Sequence, residues 1–205
     1  MEPIILVGTI FLSYFIGSVS FAYLVSLRLR RGDIRKLGSG NAGALNVGRE
    51  IGTKWGLIVF CLDFSKGYIT VVIANALLDG LVPGVICAGV AVAIGHICPV
   101  YLRYKGGKGV APAMGVMLAV LPALTLISFA VVAIAFIVTR NAIMVIASGI
   151  ISLDLLILIT WQSPWYILLC ITLSLLVLIS HVISIRKELV LIYHSRRWKD
   201  IFSLE

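Results

Sequence analysis

The chain has 205 residues, of which 60% are hydrophobic and 13% charged, and its formal net charge is +8. Ordinary soluble domains are about half apolar and about a quarter charged, so a mean hydropathy of +1.10 excludes that class. What remains is a polytopic membrane protein with no room for a soluble domain beside its spans.

The first apolar run, at about 3–30, has no basic segment ahead of it and no small-residue cleavage site after it, so a retained span is predicted. Runs long enough to cross about 30 Å of hydrocarbon follow at about 55–79, 82–103, 122–139, 142–161 and 164–184. The run at about 109–121 is too short to cross and reads as a half-helix ending near Pro122. Non-spanning backbone of this kind is tolerated only where protein or a water-filled cavity satisfies it. The expected fold is all-α: one membrane domain over residues 1–205, with about seven helices, one of them short.

An N-terminus outside the membrane places segments 31–54, 104–108, 140–141 and 185–205 inside. Every Lys and Arg except Lys66 lies on these segments or their immediate flanks, and the outer turns carry none. This one-sided charge orients the chain and explains its basicity, so nucleic acid is excluded as a partner and lipid headgroups are favoured. The last residues, 185–205, mix basic and apolar side chains and are expected to form a helix on the membrane surface. Cys61, Cys87, Cys98 and Cys170 lie in apolar stretches without CxxC spacing and read as small buried side chains. Trp55, Trp161, Trp165 and Trp198 fall near span ends, where interfacial anchors sit, and His194 is expected at the surface.

Two inner segments carry chemistry. The first reads Gly38-Ser39-Gly40-Asn41-Ala42-Gly43-Ala44-Leu45-Asn46-Val47-Gly48-Arg49 and is expected to be a loop. Its glycines let backbone N–H groups approach a ligand, Ser and Asn add donors, and Arg can clamp a phosphate through two parallel bonds. The second, Lys105-Gly106-Gly107-Lys108-Gly109, enters the short helix and combines two cations, backbone N–H groups and a helix N-terminus. It lacks the spacing and the following Ser/Thr of a Walker loop. An ordinary tight turn and a basic membrane anchor are the plain alternatives for the two segments. Charge counting independently puts both on one side, which suits one polyanionic ligand or two phosphorylated ones.

Polar residues inside spans are functional candidates by default. Asp63 and Lys66 stand one turn apart and can pair, and His96 falls at a similar depth; a structural ion pair that fixes helix packing and a buried structural histidine are the plain readings, with support of the site from beneath as the functional one. Asp154 stands alone in its span with no partner evident from sequence.

These stretches, GSGNAGALNVGR, DFSKG and GHICPVYLRYKGGKGVA, together with Gly17-Ser18, closely resemble the bacterial acyl-phosphate:glycerol-3-phosphate acyltransferases over nearly the whole chain. The resemblance implies a seven-helix protein of the bacterial inner membrane whose three motifs face the cytoplasm. It implies acyl transfer from a fatty acyl phosphate to the sn-1 hydroxyl of glycerol 3-phosphate, giving lysophosphatidic acid and phosphate, with no metal or cofactor. It assigns substrate and phosphate binding to Ser39, Gly40, Asn41, Arg49, Lys105, Gly106, Gly107, Lys108, Gly109 and Ser184, and catalysis to His181, Ser39 and Asn46. The expected partners are the two substrates and membrane lipids, with the acyl-phosphate-forming enzyme as a further candidate, and the expected state is a monomer. The chain departs from the family pattern at Ser184, where Asn is usual, and at Leu45 and Pro112, where Thr is usual, and it lacks the downstream Gly-x-Glu. A small-anion transporter and a non-catalytic membrane paralogue are the rival readings. The apolar outer halves of the spans argue against the transporter.

Overall fold

The computed structural model describes the backbone of residues 3–195 and the side chains of 3–186. It is all-helical among the described residues, because hydrocarbon offers backbone groups no partner outside their own segment. Six segments are long and apolar enough to cross a membrane, and Val110–Val120 is a shorter seventh.

The first span is divided where one continuous helix was expected. Helix α1 (Pro3–Ser18) stops and α2 (Phe21–Arg28) restarts with Ser20 as N-cap, whose hydroxyl accepts from the Tyr23 N–H at 3.4 Å. A break inside a membrane leaves carbonyls to satisfy. The Lys66 ammonium does so, donating to Gly17 and Val19 carbonyls at 2.9 and 2.8 Å. An apolar run carries no sign that a cation from another helix will stabilise an interruption.

Segment 38–49 is a loop only as far as Gly43. Residues Ala44–Glu50 form α3, which buries Asn46 and Val47, the latter in a cluster with Val59 of α4 (Thr53–Leu77). Burial of Val47 stabilises a helix that the glycine-rich composition concealed. After α4 come α5 (Val82–Ile97), the short α6 (Val110–Val120), α7 (Pro122–Thr139), α8 (Ala142–Ile159) and α9 (Pro164–Ser195).

Close backbone contact holds the bundle, as lipid supplies no hydrophobic drive between helices. A Cβ added at Gly67 would strike the Pro112 backbone, and one at Gly115 the Phe64 backbone, so α4 and α6 meet through glycine. Gly17 and Gly95 do the same for α1 and α5. Val71, Val92, Val116, Leu169 and Leu173 fill the space between α4, α5, α6 and α9.

At 11 residues α6 rises only about 16 Å, half of the hydrocarbon thickness. The preceding chain accounts for the shortfall. Gly106 and Gly107 N–H groups donate to the Ile97 and His96 carbonyls, each at 3.1 Å, so the loop folds back beside the last turn of α5. The half-helix expected from sequence therefore starts within the protein, at the depth of His96.

Helices α7 and α8 form a peripheral pair whose Ile134, Ile137, Val138, Ile151 and Ile159 face outward. Asp154 is not alone: Cys170 Sγ and Ser174 Oγ of α9 donate to its Oδ1 at 2.8 and 3.1 Å. Cys170 is buried as expected, but Cys61 and Cys87 are exposed on the membrane-facing surface, since helix rotation and not apolar context decides burial. Helix α9 runs unbroken past Ser184 to Ser195, so the described part of the C-terminal segment continues the span where a separate surface helix was expected. His194, Trp198 and residues 196–205 lie outside the described side chains.

Candidate active site

Asn46 organises the first loop. Its Nδ2 faces the carbonyls of Ile34, Leu37 and Asn41 at 3.2, 3.0 and 2.9 Å, and its Oδ1 accepts from the Ser39 N–H at 3.2 Å. Both ends of the amide are engaged by backbone and the side chain is 1% exposed. Asn46, expected among the catalytic residues, has its amide bonded to the chain's own backbone in this structure. Gly38 has φ +51 and Gly40 φ +73, and a Cβ at Gly38 would lie 2.5 Å from both Asn46 Oδ1 and Glu50 Oε1. The result is a Ser39 whose backbone is held while its Oγ, itself buried, has no hydrogen-bond partner among the described residues. A buried hydroxyl without a partner is a group that a ligand oxygen could satisfy. Asn41 is half-buried beside it, and Arg49 is exposed at the end of α3.

The second loop rests on His96. A Cβ at Gly107 would collide with His96 Nε2 and lie 3.0 Å from the Ala42 carbonyl, so this glycine is where the two loops touch. Gly109, at φ +85, turns the chain into α6 and packs toward Val177 of α9. Lys105 is exposed, whereas Lys108 is buried at 7%. Buried ammonium groups require anionic or hydrogen-bonding company. His181, 8% exposed on α9, lies close enough to Lys108 for their charges to interact, and its Nδ1 is 3.2 Å from the Val177 carbonyl. Ser184, one turn further on and half-buried, falls on the same helix face.

Below the loops lies a buried triad. Lys66 Nζ is 2.8 Å from Asp63 Oδ1 and 2.9 Å from His96 Nδ1, and His96 Nδ1 is 3.4 Å from Asp63 Oδ1. The opposite charges of Asp63 and Lys66 offset each other in a low-dielectric setting, which makes the pair tolerable there. The triad links the break of the first span to the floor of the second loop. This is the arrangement that the depth of His96 suggested. The site therefore brings together the first loop, the second loop, Lys108 and His181, with Asp63, Lys66 and His96 beneath them.

A family model described as glycerol-3-phosphate acyltransferase matches residues 7–190. The chain belongs to the glycerol-3-phosphate acyltransferase family. Curated relatives of that name include one from Thermoanaerobacter pseudethanolicus, 37% identical over 88% of this chain and 90% of its own length. A second, from Dehalococcoides mccartyi, is 38% identical over 88% of this chain and 89% of its own. The solved structure of PlsY (YgiH), an integral membrane glycerol 3-phosphate acyltransferase in its glycerol 3-phosphate form, superposes with TM-score 0.82 at 34% identity. That alignment covers 90% of this chain and 92% of the other. Its lysophosphatidic acid form gives 0.79 at 33% identity over the same shares.

As a member of this acyltransferase family the chain is a multi-pass membrane enzyme, and the transporter and scaffold readings are not favoured. Of its departures, Leu45 is exposed on α3, away from the Asn46 scaffold. Pro112 is buried in the first turn of α6, where a missing N–H costs no helical bond. Sequence reasoning passed over Arg35, counted only as one of the inner cations. It lies over the Tyr23 ring at 5.4 Å and pairs with Asp33 at 2.8 Å. The Asp-x-Arg spacing just ahead of the glycine loop was the available signal; its reach to the Leu102 carbonyl was not.

Proposed function

We propose that this chain transfers a fatty acyl group from an acyl phosphate to the sn-1 hydroxyl of glycerol 3-phosphate, at the cytoplasmic face of a bacterial inner membrane. The observation that carries the proposal is the contact of the two loops at Gly107 and Ala42, with buried Lys108 on one side and, on the other, a Ser39 Oγ that has no partner among the described residues. Two phosphates need two cradles, and the cradles must adjoin if a hydroxyl on one ligand is to reach a carbonyl on the other. The basic loops support the cytoplasmic orientation.

The acyl phosphate is already activated, so no enzymic nucleophile is needed. The glycerol oxygen attacks the acyl carbon, the bond from that carbon to the phosphate oxygen breaks, and phosphate departs with the electron pair. The hydroxyl proton passes to the departing phosphate or to His181. Lys105, Lys108 and Arg49 offset the charge that develops on phosphate, and Ser39 Oγ and the loop N–H groups orient it. Ser184 lies beside His181 as a further donor to the ligand. The acyl tail enters from the lipid, and lipids surround a monomer.

Purified protein is offered labelled glycerol 3-phosphate with palmitoyl phosphate, then with palmitoyl-CoA. Labelled lysophosphatidic acid from the acyl phosphate alone, lost in Lys108→Ala, is the expected outcome. No product from either donor, with the protein folded and a relative active alongside, overturns the proposal.

A further inference from the structure

We propose that Arg35 is a positioning residue that holds the two phosphate loops in register without touching either substrate. The inference rests on the acyl-transfer reading above. Arg35 sits in a 3-10 turn, Ile34–Lys36, that leads directly into the first loop. Its carbonyl lies 3.2 Å from where a Cβ on Gly40 would be, so the Arg35 backbone bounds that loop. Its side chain reaches the turn Val100–Leu102 that leads into the other one. Nη1 donates to the Leu102 carbonyl at 2.6 Å, across 67 residues of sequence. Nε donates to Asp33 Oδ1 and Oδ2 at 2.9 and 3.2 Å, and Nη2 donates to Oδ2 at 2.8 Å. The guanidinium plane is therefore fixed by the fork before it meets Leu102.

The target of that bond is a sensitive place. Leu102 directly precedes Arg103 and Tyr104, which both adopt left-handed backbone, at φ 54 and 62. Two such residues in succession without glycine persist only when their surroundings over-determine them. The Leu102 carbonyl also accepts from the Lys105 N–H at 3.3 Å, so its orientation sets where the second loop begins. A lysine could keep the charge but not the fork and the carbonyl bond together.

The test measures kcat and KM for both substrates, glycerol 3-phosphate affinity by calorimetry, and the thermal midpoint, in wild type, Arg35→Ala, Arg35→Lys and Asp33→Asn. Misplacement of aligned reactants by about 1 Å costs about 100-fold, so kcat falls about 30-fold or more in Arg35→Ala. Glycerol 3-phosphate affinity stays within about threefold, since each loop still binds its own phosphate. Arg35→Lys falls between the two. Unchanged kcat overturns the inference, and so does a loss of affinity beyond about tenfold, which would make Arg35 a binding residue. A kcat loss that only follows the unfolded fraction overturns it as well. Should Arg35→Ala fail to fold, Asp33→Asn decides: it loosens the fork alone and lowers kcat about threefold to tenfold, and an unchanged value refutes the role. Hydrogen exchange over residues 102–109 quickens in the same variants whether or not the protein turns over, and equal exchange refutes the strut. An inactive wild type with quickened exchange sinks the acyl-transfer reading alone; an active wild type matched by its variants sinks only this inference.

Discussion

The two loops that face each other at Gly107 are built by opposite means. Loop 38–43 hangs from one side chain, Asn46, which engages four backbone groups. Loop 105–109 hangs from backbone, through two N–H bonds to the end of α5, with a glycine pressed on the His96 ring. The first should fail when a side chain is shortened, the second when one carbon is added. A loop without regular structure can thus be stiffened either by a buried amide or by pairing with a helix end, and the substitutions that break it differ accordingly.

The largest effect is expected beneath both loops. Lys66→Met leaves Asp63 buried without its cation and the Gly17 and Val19 carbonyls without a donor, and should cost about 3–5 kcal/mol. Adding Asp63→Asn should restore part of the thermal midpoint; a single variant as stable as wild type would remove the triad from the account. Next comes Gly107→Ala, whose new Cβ displaces the loop from His96 and lowers kcat/KM about 100-fold. A second change, His96→Ala, opens room and should return a measurable fraction. If Gly107→Ala keeps half its activity, crowding is not what shapes this loop.

Asn46→Ala should be milder in rate, about tenfold, but costly in stability. Each buried backbone group left unsatisfied costs about 1–3 kcal/mol, tempered by water entry near the surface. Asn46→Asp keeps the acceptor for Ser39 but turns a second carboxylate oxygen toward three carbonyls, so it should cost at least as much stability as Asn46→Ala, and equal midpoints for all three proteins would break the comparison. Ser184→Asn lengthens the side chain next to His181 and is expected to raise kcat about twofold to fivefold. An unchanged rate would show that the hydroxyl suffices.

The smallest effect concerns acid. The Arg35 guanidinium, by hydrogen bonding, holds the Asp33 carboxyl below the usual carboxylate value. A carboxyl depressed in the folded state stabilises above its unfolded value, about 3.9, and that stability is lost as pH falls through the folded one. The thermal midpoint should therefore dip below about pH 4 by an amount worth under about 1 kcal/mol, and Asp33→Asn should lack that part.

Hydropathy alone established the number and kind of spans, because hydrocarbon allows few solutions to backbone hydrogen bonding. Pro122–Thr139 lies where it was expected, and the short helix before it was legible from length alone. Glycines set among Ser and Asn in one segment and among lysines in the other also drew attention to both, since that composition is local in sequence. What each polar group reaches is set by the packing of helices distant in sequence. The gap in the first span depends on Lys66 from α4, the partners of Asp154 come from α9, and the Leu102 carbonyl is met by Arg35. Asn46 likewise reads as a ligand-facing amide until the fold turns it inward to bind the chain's own backbone. Helix rotation and crossing set these contacts, and they follow from close packing of glycine faces on several helices at once, which no single segment's pattern encodes.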